Sequence, residues 1–225
     1  MTESIHTDTA LAPAAARPRR AAGRFAGLPM AQAAVRFARA RHAGQHREID
    51  HAPFIDHPIE VGCLLHGDGQ PDEIIAAGLL HDVLERTPTT SAELHRRFGA
   101  RIARIVESVS DNPSLGDYTS RKRDLRDRVA HADPGTRAVF AADKIAKVRE
   151  LALLPTGQLN ERRNRAKLGH YRASLDMLRR VDGHTPLVDR LDTELDRLVA
   201  RAISGTRTAG TITSAAGSNR TKRRV

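Results

Sequence analysis

A histidine and an aspartate stand side by side at residues 81–82, inside the apolar stretch LLHDVLERT (79–87). Glu85 follows His81 by four residues, so on a helix the two side chains would project from one face. Asp82 would lie about 100° further round the helix and could border the same cleft. Imidazole and carboxylate groups on one cleft are the groups that bind metal ions and serve in general acid–base catalysis.

Two further polar residues occur in apolar surroundings. His57 directly precedes Pro58, which suits the first turn of a helix, so we expect His57 at a helix N-cap facing the interior. Asp143 lies in VFAADKIAKV, where a carboxylate is costly to bury unless it is paired or bound to a metal. With His81 and Asp82 these residues make a mixed nitrogen and oxygen ligand set, which suits Mn, Fe or Zn better than Ca or Mg.

The same residues also have a purely structural interpretation. A buried histidine is commonly a satisfied core residue, and adjacent His and Asp residues occur by chance in helices. Asp143 could form an ordinary surface pair with Lys144. Residue types and spacing alone leave both interpretations open.

The composition favours helices as the elements that position these groups. The 225-residue chain is 40% hydrophobic, but only 3% of it is aromatic and it has no Trp. Ala, Leu, Ile and Val must therefore fill the core, and apolar residues recur at helical spacing in segment after segment. The sequence predicts an all-α fold, a compact bundle of about eight or nine helices.

Individual helices follow from caps and periodicity. Residues 70–86 read as one helix that carries His81 through Arg86. Thr90 and Glu93 form a capping box before the next helix, which runs to Gly99, and a separate helix follows over 100–111. A charged helix around 117–132, an apolar one over 137–154, and two amphipathic helices at about 158–181 and 186–202 complete the bundle.

The net charge of +10 is concentrated at the ends of the chain. Residues 1–29 carry +2 and residues 204–225 carry +5, which leaves only +3 for the rest. We predict a disordered basic tail at 1–27, a folded domain at 28–203 and a second disordered basic tail at 204–225. We expect no nucleic-acid binding beyond non-specific, salt-sensitive contacts of the tails.

No apolar run approaches the roughly 18 residues of a membrane span, so we expect no membrane partner. We also expect no secretory signal, because no apolar segment precedes a cleavage site near the N-terminus. The lone Cys63 cannot form an internal disulfide, which fits a cytoplasmic location.

Several blocks of the sequence together resemble a known family. They are HAGQHR (42–47), FIDHPIEVGCLL (54–65), DEIIAAGLLHDVLERT (72–87), FGARIARIVESVSD (98–111) and AADKIAKVREL (141–151). In this order they resemble the HD-domain superfamily of metal-dependent phosphohydrolases. Within it the chain is most similar to the hydrolase domain of RelA/SpoT-type enzymes and to the small alarmone hydrolases, which remove the 3′-pyrophosphate of (p)ppGpp.

The resemblance implies a metal site and a reaction. The family's metal, usually Mn²⁺, would be held by His57, His81, Asp82 and Asp143, with Fe or Zn as alternatives. Glu85 matches the first acid of the family's catalytic pair, which positions and activates the attacking water. The implied substrate is a phosphorylated guanine nucleotide.

The resemblance also implies substrate contacts and shows departures from the family pattern. Arg47 and Tyr171 match residues that border the nucleotide, and Lys144 would help to hold its phosphates or ring. Arg86 replaces the family's second catalytic acid, and Lys147 stands where the family has an asparagine near the substrate. A third departure is Glu48, beside Arg47, where the family has a basic residue.

Three functions remain open on the sequence alone. The first is hydrolysis of (p)ppGpp. The second is hydrolysis of another nucleotide or phosphoester, which the added cations Arg86 and Lys147 favour. The third is nucleotide binding with little or no turnover.

Overall fold

The structure is a computed structural model that describes the backbone of residues 23–215 and the side chains of residues 23–204. Within this range every regular element is a helix, and the only strand-like pairing is one bridge between His46 and Pro53. The predicted all-α fold class is confirmed. The helices are α1 (Pro29–Arg41), α2 (Asp56–Gly67), α3 (Asp72–Leu80), α4 (Val83–Arg86), α5 (Ser91–Val109), α6 (Tyr118–Ala130), α7 (Pro134–Leu151), α8 (Thr156–Leu159), α9 (Arg162–Asp182) and α10 (Pro186–Ala215).

The two predicted tails extend beyond the described range. Residues 1–22 and 216–225 lie outside the described residues. The backbone of α10 continues to Ala215, past residue 203, where the sequence predicts the domain to end. The division into 1–27, 28–203 and 204–225 stays a prediction.

Helix α3 occupies the centre of the bundle. Its residues 74–80 are all buried, because Ile, Ala, Gly and Leu give it no polar side to turn toward water. Helices α1, α2, α5 and α7 pack around it. The C-terminal end of α3 therefore delivers the polar residues that follow it to the interior of the protein.

Helices α2 and α3 approach closely at two glycines. A Cβ atom at Gly62 would lie 2.7 Å from Leu79 Cδ2, and one at Gly78 would lie 2.3 Å from Leu65 Cδ1. Both distances are shorter than van der Waals contact, so only glycine permits this spacing in a close-packed core. The contact sets the separation of the two histidines that these helices position.

Side-chain caps define where the helices begin. The Thr90 hydroxyl accepts a hydrogen bond from the Glu93 backbone N–H at 3.2 Å, which confirms the predicted start of α5. Asp72, in the first turn of α3, accepts hydrogen bonds from the backbone N–H groups of Met30 and Ala31 at 2.9 and 2.8 Å. Because these N–H groups have no partner inside α1, α3 caps α1 from across the bundle.

The prediction of a single helix over residues 70–86 was wrong. Helix α3 ends at Leu80, α4 begins at Val83, and His81 and Asp82 form the break between them. The His81 imidazole donates from Nδ1 to the Gly78 carbonyl oxygen at 2.7 Å. This bond satisfies a carbonyl that a helix end leaves without a backbone partner.

One other boundary differs from the predictions. Helix α2 begins at Asp56, so His57 lies in its first turn rather than at its N-cap.

The two helices predicted to meet at Gly99 are confirmed. Within Ser91–Val109 two helical segments join across a kink at Gly99, whose φ of 85° is a backbone conformation that glycine adopts without strain. We keep the label α5 for both segments together.

Candidate metal centre and cavity

The four predicted metal ligands converge from three segments of the chain. His57 comes from α2, His81 and Asp82 come from the α3–α4 break, and Asp143 comes from the middle of α7. His57 Nε2 lies 3.2 Å from His81 Nε2 and 3.1 Å from Asp143 Oδ1. Asp82 Oδ2 lies 3.5 Å from His57 Nε2 and 3.3 Å from His81 Nε2. All four residues are buried.

The donor atoms fit a shared divalent ion. Atoms bound about 2.1 Å from one ion in tetrahedral or octahedral geometry are separated by roughly 3.0–3.4 Å. Three of the four separations, 3.1–3.3 Å, lie in that range, and the 3.5 Å between His57 Nε2 and Asp82 Oδ2 lies just above it. Asp82 Oδ2 is buried without a hydrogen-bond partner in the part of the chain that the structure describes. His81 donates from Nδ1 to Gly78, so its Nε2 is the free ligand atom when the ring is neutral.

The protonation of the cluster is consistent with a site that exchanges protons for a metal. Burial, together with Lys147, lowers the pKa of His57 to about 4. Burial also acts to lower the pKa of His81, but Asp82 and Asp143 outweigh it and raise that pKa to about 10. The pKa values of both carboxyl groups lie well below their usual range, because the surrounding cations outweigh burial. Without metal, one imidazolium offsets two carboxylates, and a divalent ion can replace its proton.

A cavity of about 540 Å³ opens over this cluster. Its wall carries more cations than acids, which suits a polyanionic ligand. The cationic side chains are Arg47, Arg86, Arg121, Lys122, Lys144, Lys147, Arg163 and Lys167, and the acidic ones are Glu48, Asp82, Glu85, Asp143 and Glu150. A cavity of this volume can hold a nucleotide-sized molecule.

Glu85, the predicted catalytic acid, lies in the one-turn helix α4 and lines the cavity. Its Oε1 accepts a hydrogen bond from the backbone N–H of Asp111 at 2.7 Å, which fixes the orientation of the carboxylate. Burial and the nearby Asp82 raise the pKa of Glu85. Glu85 is exposed to the cavity, and its raised pKa makes the carboxylate a better proton acceptor than one with an ordinary pKa.

Arg86 and Lys147 both face the cavity. The Arg86 guanidinium lies 4.4 Å from the centroid of the Phe54 ring, with Nε 3.7 Å from Asp82 Oδ1. Lys147 Nζ lies 5.8 Å from the same centroid and 4.0 Å from Asp82 Oδ2. The two cations that depart from the family pattern thus lie next to one candidate metal ligand.

All four residues predicted to bind the substrate line the cavity: Lys147, described above, and Arg47, Lys144 and Tyr171, whose surroundings differ. Arg47 is bound to Asp50 through two hydrogen bonds. Lys144 is buried, and its ammonium donates to Asp143 Oδ2 at 2.6 Å, so it holds a candidate metal ligand in place. Tyr171 is buried on α9, and burial raises the pKa of its phenol well above the ordinary value.

Sequence reasoning missed part of the cavity wall. Phe54 lies in a recognised block but was not assigned a role, and Tyr118 and Lys122 lie on the predicted charged helix. His170 also lines the cavity, and its Nδ1 accepts from Arg126 at 2.8 Å. In the sequence, the one signal for His170 as a cavity residue is its position directly before Tyr171.

The family model described as "HD domain" matches residues 34–151, which include all four candidate ligands. This chain belongs to the HD-domain family. The match ends at Leu151, the last residue of α7, so helix α9, which contributes Arg163, Lys167, His170 and Tyr171 to the cavity, lies beyond it.

Curated relatives are consistent with this assignment. The guanosine-3′,5′-bis(diphosphate) 3′-pyrophosphohydrolase MESH1 of Danio rerio is 39% identical over 120 residues, which cover 52% of this chain and 66% of that protein. MESH1 of Mus musculus is also 39% identical, over 128 residues that cover 55% of this chain and 71% of the relative. The HD-domain protein described here is therefore homologous to (p)ppGpp 3′-pyrophosphohydrolases.

A solved structure has the same fold over a longer stretch. It is described as a metazoan ortholog of SpoT that hydrolyses ppGpp, and it aligns with a TM-score of 0.66 at 25% identity. The alignment covers 75% of this chain and 94% of that one. Over residues 23–215, no helix of the HD-domain protein is long and apolar enough to cross a bilayer.

Proposed function

We propose that this HD-domain protein is a metal-dependent phosphohydrolase that removes the 3′-pyrophosphate of guanosine tetra- and pentaphosphate. The observation that supports the proposal is the ligand cluster. In it the buried Asp82 Oδ2 has no hydrogen-bond partner among the described residues and lies 3.5 and 3.3 Å from the Nε2 atoms of His57 and His81. This cluster lies in a cavity with an excess of cations, in a homologue of enzymes with that activity.

The metal is proposed to be held by His57, His81, Asp82 and Asp143. Mn²⁺ is the expected ion, with Fe or Zn as alternatives, since a mixed nitrogen and oxygen set binds all three. When bound, a divalent ion supplies Lewis-acid polarisation of a phosphate oxygen and lowers the pKa of a coordinated water.

Glu85 is proposed as the general base. The attacking water forms a bond to the phosphorus attached to the 3′ oxygen and gives its proton to Glu85. The bond between that phosphorus and the 3′ oxygen breaks, its electron pair stays on the 3′ oxygen, and this oxygen takes up a proton from solvent, while Glu85 later returns its proton to solvent. The Asp111 N–H bond occupies one carboxylate oxygen of Glu85 and leaves the other free to accept the proton.

The remaining polar residues are proposed to hold the nucleotide. Arg47 can contact phosphate or base from the cavity wall while Asp50 fixes its guanidinium. Lys144 acts mainly by orienting Asp143, because its ammonium is buried against that carboxylate. Tyr171 supplies a neutral hydroxyl and a ring face on α9.

Release of pyrophosphate from ppGpp by the purified, Mn²⁺-loaded protein tests the proposal. The wild type should release pyrophosphate, and His81→Gln should not, because it removes a metal ligand. His184→Gln is the matched control, since His184 is exposed, pairs with Asp189 and does not line the cavity. Absence of turnover with Mn²⁺ demonstrably bound would contradict the proposed function.

A second candidate is hydrolysis of a different nucleotide or phosphoester. Arg86 and Lys147 favour it, because they add two cations beside Asp82. A panel of nucleotides and phosphomonoesters, assayed with the wild type and with Arg86→Asp/Lys147→Asn, separates the two candidates. An unchanged substrate profile in the double variant would remove the basis for this second candidate, and tight ppGpp binding without turnover would instead indicate a binding module.

A further inference from the structure

Like Arg121 and Lys167, and unlike Lys122 and Lys144, the cavity cations Arg86 and Lys147 have no carboxylate within hydrogen-bond distance among the described residues. Their nearest carboxylate oxygens, both on Asp82, are 3.7 and 4.0 Å away. Neither cationic group donates a hydrogen bond to any residue with a described side chain. Lys122 and Lys144, by contrast, donate to carboxylate oxygens at 2.8 and 2.6 Å.

The position of Phe54 keeps the two cations in the cavity. Its ring attracts both the Arg86 guanidinium and the Lys147 ammonium, at 4.4 and 5.8 Å from the centroid. The Arg86 side chain is 47% exposed and that of Lys147 is 23% exposed, so their donor groups are accessible to a ligand. The arrangement presents two sets of N–H donors to one region of the cavity.

Metal binding would neutralise the carboxylate that lies nearest to Arg86 and Lys147. Asp82 Oδ2 faces the two histidines, so a divalent ion would take that oxygen. Arg86 and Lys147 would then face a carboxylate that is already neutralised. An anionic ligand in contact with both cations would restore the balance, and guanidinium and ammonium groups both bind phosphate oxygens.

We propose that Arg86 and Lys147 form a clamp for the terminal phosphate of the pyrophosphate group that is removed. The inference rests on the proposed function, in which the phosphate next to the sugar lies at the ligand cluster. Asp82 is the member of that cluster that lies next to both cations, so the phosphate in the clamp is the neighbour of the one under attack. The clamp would distinguish pyrophosphate from orthophosphate. Pyrophosphate has two phosphates and can contact the ligand cluster and the clamp at the same time, whereas one orthophosphate cannot contact both.

Binding of inorganic pyrophosphate to the Mn²⁺-loaded protein, measured by calorimetry, tests the clamp independently of activity. Arg86→Gln and Lys147→Asn should each weaken pyrophosphate binding about tenfold, and the double variant more, because each loses charge-assisted hydrogen bonds. Orthophosphate binding should change much less. Titration with Mn²⁺ alone should show that the variants still bind metal. If Arg86→Gln does not fold, Arg86→Met takes its place.

Arg97→Gln is the matched control. Arg97 also lies over a phenylalanine, with Cζ 5.4 Å from the Phe37 centroid, and also forms an i, i+4 pair, with Glu93 at 3.0 Å. It does not line the cavity, so its loss should leave pyrophosphate affinity unchanged.

Unchanged pyrophosphate affinity in metal-loaded Arg86→Gln and Lys147→Asn would overturn the clamp, even if the wild type hydrolyses ppGpp. An equal loss of orthophosphate and pyrophosphate affinity would also overturn it, since that result indicates a general anion site. Weakened pyrophosphate binding in a protein that does not turn over ppGpp would support the clamp and reject the substrate proposal.

Discussion

Two clusters of similar composition in this protein use their charges in different ways. The Phe37 cluster consists of Phe37, Arg41, Glu93 and Arg97, and the Phe54 cluster consists of Phe54, Asp82, Arg86 and Lys147. In each, one aromatic ring is flanked by two cations, and both cations face one carboxylate. Only the Phe54 cluster lines the cavity.

The two clusters differ in the distances between their cations and their carboxylate. Glu93 accepts hydrogen bonds from Arg41 at 2.5 Å and from Arg97 at 3.0 Å, so its charge is used within the Phe37 cluster. Asp82 lies 3.7 Å or more from both of its cations, because one of its oxygens faces the histidines. Similar residue types therefore form a hydrogen-bonded cluster where the carboxylate pairs with both cations, and leave two cations without a hydrogen-bonded carboxylate where it faces the histidines.

The largest difference between the two clusters is expected in Mn²⁺ binding, when the carboxylate of each cluster, Asp82 or Glu93, is replaced by an amide. Asp82→Asn should weaken Mn²⁺ binding by more than about 100-fold, since even residues that only support metal ligands contribute 10- to 100-fold. Glu93→Gln should leave metal binding and turnover unchanged. Calorimetric Mn²⁺ titration of both variants measures this difference, and equal Mn²⁺ affinities would remove the distinction between the clusters.

Glu85→Gln should abolish most of the turnover while the metal stays bound. Loss of a general base costs about 10²–10⁴-fold in kcat. Glu73→Gln is the control, because Glu73 is an exposed glutamate paired with Arg101. Steady-state kinetics with ppGpp check the prediction, and a Glu85→Gln enzyme with near wild-type kcat would show that the proton goes elsewhere.

The same Glu85→Gln variant should be more stable than the wild type at neutral pH in the presence of a chelator. Burial and Asp82 raise the pKa of Glu85 in the folded protein. A carboxyl group with a raised folded pKa contributes stability below its unfolded pKa and loses it as pH rises through the folded pKa. Urea unfolding at pH 7 and pH 4 should show a gain that disappears at the lower pH, and a stability loss at pH 7 would contradict this account.

Removal of the arginine from either cluster should have the smallest effect on stability. Arg86→Gln and Arg97→Gln remove half-exposed cations from i, i+4 pairs, which contribute at most about 1 kcal/mol. Urea unfolding of the two variants should give similar free energies close to the wild-type value. A large loss for Arg86→Gln alone would indicate that Arg86 has a structural role that Arg97 lacks.

The ligand cluster could be predicted from the sequence because its residue types conflict with their surroundings. A carboxylate such as Asp143 on an apolar helix needs a partner, and the blocks around His57 and His81 resemble a known family. The break at residues 81–82 could not be predicted, because α3 and α4 together keep one apolar helical pattern across it. The bond from His81 to the Gly78 carbonyl appears only in three dimensions.

The cavity wall was less predictable, because it depends on contacts between distant segments. Phe54 meets Arg86 and Lys147 only after α2, α4 and α7 have packed together. His170 reaches Arg126 across 44 residues of sequence, and nothing local in either segment indicates this contact. Sequence patterns specify which face of a helix is buried, but not which distant side chain will oppose it.

The spacing of the candidate ligands along the chain would connect metal supply to the survival of the fold. His57 is 24 residues from His81 and 86 residues from Asp143, so an unfolded chain would bind the proposed ion far more weakly than the folded protein. An ion that binds only the folded form raises the free energy of unfolding by about 1.4 kcal/mol for each tenfold excess over its dissociation constant. Metal starvation would then shorten the lifetime of the protein in the presence of proteases as well as remove its chemistry.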